Sequence, residues 1–142
     1  LKVGSKRFTE SYILGEIVKQ SAAPHVRTEH RQGLGNTAIV LAALQAGSID
    51  VYAEYMGTIS SEILKHDKAI DLAQMRRELA ALGLGVAVPL GFNNTYALAM
   101  RGDETSITSL AQLAQHPALT FGLSHEFIGR VDGWQGLAAR YG

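Results

Sequence analysis

Three short stretches of the chain set residues able to grip a small ligand beside turns and element ends. In Gly4–Ser5–Lys6–Arg7–Phe8–Thr9–Glu10, two cations stand where a strand gives way to a helix. Free amide N–H groups and the helix dipole make such a place attractive to anions and unfavourable to cations. Lys6 and Arg7 are therefore either solvated loop charges or partners of an anion held between them and the amides. In Asp50–Val51–Tyr52–Ala53–Glu54–Tyr55–Met56–Gly57–Thr58, strand alternation sets Asp50, Tyr52 and Glu54 on one side and Val51, Ala53 and Tyr55 on the other. Tyr55 leaves the carboxyl end of that strand beside Gly57 and Thr58 at a helix start, the edge where open α/β sheets receive ligands. A packing tyrosine is the alternative. The third stretch is divided between Asn93–Asn94–Thr95–Tyr96 and the segment from Phe127 to Trp134. There Arg130–Val131–Asp132–Gly133 reads as a loop with an exposed guanidinium.

Residues for making or breaking bonds are harder to find. His125–Glu126 is followed by Phe127–Ile128–Gly129, so the second histidine of a zinc-protease helix is missing. His25, His30, His66 and His116 share no ligand-like spacing and read as surface or strand histidines; no metal and no cofactor is expected. Gly33–Leu34–Gly35–Asn36–Thr37–Ala38 formally matches a dinucleotide fingerprint, and Glu54 lies about 20 residues further on, where a ribose-binding acid belongs. The stretch before it, His25 to Arg31, is too polar for the central buried strand this motif follows, so a plain glycine turn into a helix is the stronger reading. There is no Gly-x-Ser-x-Gly elbow and no cysteine, hence no disulfide, thiolate nucleophile or Cys-based zinc site. The expectation is a binding protein and not an enzyme.

The elements that would position these residues alternate. Leu1 to Ser5 reads as a short buried strand. A helix from Thr9 to about Ser21 follows, with Ile13, Leu14, Ile17 and Val18 on one face. His25 to Arg31 is a second strand, and Asn36 or Thr37 caps an apolar helix to Ala46. Ile49 to Tyr55 is a third strand. Thr58 or Ser60 opens a short helix, and Asp71 caps another whose stripe is Leu72, Met75, Leu79 and Leu82. Strands are expected at Val86–Leu90, Tyr96–Met100 and Leu119–Leu123, a helix capped by Thr108 or Ser109 runs to Gln115, and a last helix spans Trp134–Tyr141. Strand–helix alternation of this kind favours a mostly parallel sheet covered by helices.

Composition agrees with a globular α/β chain: 46% hydrophobic and 18% charged residues over 142 positions, with mean hydropathy near zero. Thirteen basic residues balance thirteen acidic ones, which leaves no electrostatic footprint for nucleic acid or an anionic membrane. No apolar run approaches the ~20 residues of a membrane span. The segment from Thr95 reads as the opening of a second α/β unit.

Four motifs, in order, carry a resemblance to a known family. They are Gly-Ser-Lys-x-Phe-Thr-Glu near the start, Asp-x-Tyr-x-Glu-Tyr-x-Gly-Thr after the third strand, Asn-Asn-Thr-Tyr-Ala-Leu, and His-Glu-Phe-x-x-Arg-x-Asp-Gly near the end. Together they resemble the glycine betaine/choline/carnitine substrate-binding proteins of osmoprotectant ABC importers. That resemblance implies a type II periplasmic-binding fold of two α/β lobes joined by a hinge. Residues 1–94 would belong to the first lobe, and 95–142 to the hinge strand and an incomplete second lobe. It implies an extracytoplasmic protein working with ABC permease subunits, and a trimethylammonium group held in an aromatic cage. On matching positions Tyr55 and Tyr96 look like cage rings, Thr58 a hydroxyl donor, and Lys6 and Arg130 ligands for a carboxylate. Asn94 stands where some relatives carry an acid, which removes a counter-charge. Family members are close to twice this length, so self-association of the shorter chain is a further expectation. The rival readings are a same-fold binder of another zwitterion or amino acid, and a ligand-sensing domain of a regulator.

Overall fold

The computed structural model describes residues 1–103 and 106–141. Two compact units divide the chain, Leu1–Val86 and Ala87–Gly142. The Asn94–Thr95 junction implied by the resemblance lies inside the second of them.

The first unit is built on three parallel strands: β1 (Lys2–Gly4), β2 (Glu29–Arg31) and β3 (Val51–Tyr52). Their order is β2-β1-β3, with Val3 opposite His30 on one side and Val51 on the other. Parallel neighbours require crossovers, supplied by α1 (Thr9–Ala22) and α2 (Thr37–Gln45). Val3, Val40 and Ile49 are almost wholly enclosed between these layers. The strands are shorter than the apolar runs suggested, because backbone pairing stops where β1 turns into the Ser5–Lys6 corner.

Helix α1 packs on a face other than the one its apolar spacing indicates. Ser11 and Gly15 are its buried residues, while Ile13 and Ile17 are more than half exposed. Two local demands decide the orientation. Ser11 Oγ accepts the Lys6 backbone N–H at 2.8 Å. Gly15 leaves room for the His30 ring, since a Cβ there would come within 2.9 Å of Cε1 and closer still to Nε2. A buried amide left without a partner costs about 1–3 kcal/mol, comparable to what burying one isoleucine contributes.

A second small core forms where Ile59, Met75 and Leu79 meet, with Ile63, Leu64, Ile70, Leu84 and Val86 against them. It joins α3 (Met56–Thr58), which continues as a π turn over Ile59–Ile63, to α4 (Leu72–Ala81). As expected, Asp71 caps α4, its Oδ1 accepting the Gln74 N–H at 2.7 Å, and Asn36 caps α2 in the same way. Leu82 falls outside the predicted stripe: it ends the helix and is half exposed, with Gly83 in the left-handed region just after it.

In the second unit Ser109 forms the expected cap, as a capping box with Gln112, but on a 3₁₀ helix, Leu110–Gln115. Two α-helices follow, α5 (His125–Gly129) and α6 (Trp134–Tyr141). The first was not anticipated, although Ser124 caps it through the Phe127 N–H at 3.2 Å. None of the expected strands at Val86–Leu90, Tyr96–Met100 and Leu119–Leu123 forms among the described residues. Apolar alternation supplies propensity, but a strand exists only by pairing with a neighbour, and Val88, Leu90 and Tyr96 are 70%, 58% and 59% exposed.

Candidate functional site

The residues singled out in the first unit gather at the carboxyl edge of its sheet. Past the end of β1 the chain is pinned by Ser5 N–H to the Arg31 carbonyl, Leu34 N–H to the Ser5 carbonyl and Arg7 N–H to the Gly35 carbonyl, each at 3.1 Å. This corner turns Lys6 inward, where it is 2% exposed. Lys6 is thus no solvated loop charge. Its Nζ donates to Glu54 Oε1 at 2.6 Å and to Thr37 Oγ1 at 3.2 Å, so the anion that two cations at this junction called for is the chain's own Glu54. The same Glu54 oxygen accepts the Tyr55 N–H at 2.9 Å. Burial and the neighbouring Glu54 carboxylate push the Tyr52 phenol well above its usual range, as expected of side chains two apart on one strand face.

Beside this ion pair lies an aromatic pair. Phe8 and Tyr55 stack with centroids 6.4 Å apart and planes 17° from parallel. The Lys6 ammonium sits 5.7 Å from the first ring centroid and 5.3 Å from the second. The Tyr55 hydroxyl donates to Glu10 Oε1 at 2.5 Å, and Thr58, one turn beyond Tyr55, is buried. Phe8, Glu10 and Thr37 were not picked out beforehand. Phe8 carried one signal: it stands in the Gly-Ser-Lys-x-Phe-Thr-Glu motif, two residues from Lys6.

The glycine segment before α2 serves this cluster. Gly33 and Gly35 take positive φ values of 65° and 143°, which only glycine adopts freely. The turn delivers Thr37 to the Lys6 ammonium. The preceding strand, β2, is at the edge of the described sheet, unlike the central strand that a dinucleotide fingerprint follows.

Behind Lys6, Ser5 Oγ, His30 and Glu16 line up: Nε2 is 3.0 Å from Oγ, and Nδ1 is 3.2 Å from Glu16 Oε2. The order resembles a nucleophile–base–acid relay, yet Ser5 is fully enclosed, so its hydroxyl ties β1, β2 and α1 together. Hydrogen bonds from Gln20, Lys19 and His30 hold the Glu16 carboxyl down at about 2, against an ordinary 4.5. Its folded-state pKa is depressed, so its contribution to stability is complete above about pH 4.5 and is lost as pH falls towards 2. Carboxyl ¹³C chemical shifts followed through acid titration will show Glu16 titrating near 2; a midpoint near 4.5 would contradict these bonds.

The second unit holds Asn94, Tyr96 and Arg130. Arg130 is 8% exposed, not an exposed guanidinium, and grips Asp132 with two bonds, Nε to Oδ1 at 2.7 Å and Nη2 to Oδ2 at 2.8 Å. The guanidinium holds the Asp132 carboxyl below its usual range. Tyr96 packs on Phe127 with centroids 4.8 Å apart, and partial burial, with Glu126 nearby, raises its phenol. Its ring lines an open cleft of about 370 Å³ with Leu98, Met100, Phe121 and Phe127. Asn94 lies in the exposed stretch before it. Each unit therefore assembles a ring beside a buried, carboxylate-paired cation. Among the described residues no group of three or more His, Asp or Glu side chains is arranged to hold a metal, and no helix is long and apolar enough to cross a membrane.

A parallel α/β sheet with rings and an ion pair at its carboxyl edge is the arrangement in which open α/β proteins receive ligands. The family described as the substrate binding domain of ABC-type glycine betaine transport systems matches residues 1–142. The chain belongs to that family. It is 34% identical to the glycine-betaine-binding protein of Pseudomonas aeruginosa, aligning over its whole length and 51% of that protein. It is 33% identical to the ergothioneine transport permease/ergothioneine binding protein EgtU of Helicobacter pylori, over 99% of this chain and 27% of that one. The structure of apo YehZ from Escherichia coli superimposes with a TM-score of 0.61 at 31% identity, covering all of this chain and 56% of that one. The fold is accordingly that of the periplasmic binding proteins. The chain spans about half the length of the glycine betaine-binding relatives it matches.

Proposed function

We propose that this chain forms the ligand-capturing part of an extracytoplasmic substrate-binding component of an ABC importer for quaternary-ammonium solutes such as glycine betaine or choline. It acts by binding alone, without catalysis, and hands its ligand to permease subunits. The observation that carries the reading is the Phe8–Tyr55 pair set against a neutralised Lys6–Glu54 ion pair. A quaternary ammonium has no N–H to donate, so hydrogen bonding cannot select it. Aromatic faces attract it by ~0.5–2 kcal/mol per ring, more when water is excluded. A bare lysine beside those rings would repel such a ligand; pairing with Glu54 cancels that repulsion. Tyr96 and Phe127 offer similar surface in the second unit, and the names of the relatives agree. Thr58 serves as a hydroxyl donor, and Asn94, two residues before Tyr96, serves as a polar contact. Exposed apolar side chains on α1 and α2, Ile13, Ile17 and Ile39, support self-association of the 142-residue chain.

Titration calorimetry on the polypeptide carrying residues 1–142, with choline, glycine betaine and ergothioneine as probes, tests the reading. Tyr55→Ala and Tyr96→Ala should each weaken binding of the preferred probe by roughly three- to thirtyfold, one ring's share. Unchanged affinity in both variants would remove the aromatic site, and heat evolved with none of the probes would remove the ligand class.

A further inference from the structure

The proposed site contains one carboxylate more than its buried cation requires. Lys6 and Glu54 cancel at 2.6 Å, and Thr37 takes another of the ammonium's hydrogens. Glu10, half-buried in the first turn of α1, has its Oε1 on the Tyr55 hydroxyl at 2.5 Å. A phenol that donates to a carboxylate gains electron density in its ring, and the carboxylate adds a full negative charge at the ring's edge. Both deepen the negative potential over the face that attracts a cation.

We propose that Glu10 is a specificity-determining residue: it charges the Phe8–Tyr55 surface so that the site prefers a quaternary ammonium of net positive charge to a zwitterion with the same headgroup. This deepens the ligand reading above and rests on it. A zwitterion brings its own carboxylate, which Glu10 repels. The two cations matched to such a group, Lys6 and Arg130, each already face a protein carboxylate, Glu54 and Asp132. A ligand carboxylate has to compete with those partners, whereas a bare cation does not.

The test compares choline with glycine betaine on the wild-type polypeptide, on Glu10→Gln and on Glu10→Ala, at low and high ionic strength. Glutamine keeps an acceptor for the Tyr55 hydroxyl and removes only the charge. Glu10→Gln should weaken choline about five- to twentyfold and change glycine betaine by less than about twofold. Glu10→Ala, which also frees the phenol, should weaken both. In the wild type, added salt should weaken choline and leave glycine betaine nearly unchanged, a readout that needs no variant to fold. Equal losses for both ligands in Glu10→Gln, or no loss, would overturn the charge role, as would wild-type binding of glycine betaine without choline. Those results leave the ligand reading standing. Wild-type binding of neither ligand overturns the charge role, and takes away the ligand reading as well when ergothioneine also fails to bind.

Discussion

Replacing Lys6 by methionine should lower the stability of the first unit by about 3–5 kcal/mol. The side chains of Lys6 and Glu54 are 2% and 6% exposed, so water cannot solvate the carboxylate that the variant leaves behind. Methionine fills most of the space, which makes the loss electrostatic in origin and not a cavity effect. The Tyr55 N–H and the Tyr52 hydroxyl still reach Glu54, but two neutral donors do not balance a buried charge. The double variant Lys6→Met/Glu54→Leu removes both charges and should recover most of the loss, because an apolar pair of similar volume often matches a buried ion pair. Urea denaturation, followed by the amide signals of Val3 and Val40, reads this out. A single variant within about 1 kcal/mol of wild type would mean that the pair is open to solvent. Any ligand reading that uses Lys6 as an open carboxylate receptor would then regain its footing.

Gly133→Ala is expected to be comparably damaging to the second unit, at about 3 kcal/mol or more. A Cβ at this position would lie far inside the van der Waals radius of the Phe127 carbonyl oxygen, and 2.9 Å from its carbon. The obstacle is backbone of α5, which no rotamer change can clear. At Gly15, by contrast, the obstacle is the His30 ring, which can rotate at the cost of its two hydrogen bonds, so Gly15→Ala should be milder. Gly133 also closes the turn that carries the Arg130–Asp132 fork, its N–H donating to the Arg130 carbonyl at 3.1 Å. In Gly133→Ala the Asp132 carboxyl should therefore titrate back in the ordinary aspartate range, having lost the guanidinium that holds it low. Thermal unfolding together with carboxyl NMR will show both effects. An alanine variant of native stability with Asp132 still depressed would disprove this account of the turn.

These two sites also mark how far reading along the chain reaches. Gly133 belongs to a motif visible as letters, and so does Lys6. What was not visible is what each side chain does. Lys6 meets a carboxylate 48 positions away, and the guanidinium of Arg130, two residues from Asp132, folds inward onto it. Spacing along the chain presents both as cations open to a ligand or to solvent, whereas the fold pairs each with a carboxylate of the chain. Caps fared better: Asn36, Asp71 and Ser109 act as expected, since a cap needs only the next three residues.

The residue order alone specifies the α/β alternation of the first unit, the caps of α2 and α4 and the family, because each is written in spacings of one to a few residues. Tertiary structure chose the face of α1, where a buried amide of Lys6 and the bulk of His30 outweighed two isoleucines. It also withheld the ladders that would have made strands of three apolar segments, and it joined Phe8, Glu10 and Tyr55 into one surface. Those outcomes depend on which distant groups arrive together when parallel strands bring their carboxyl ends to a common edge, and on whether each buried charge then finds its opposite.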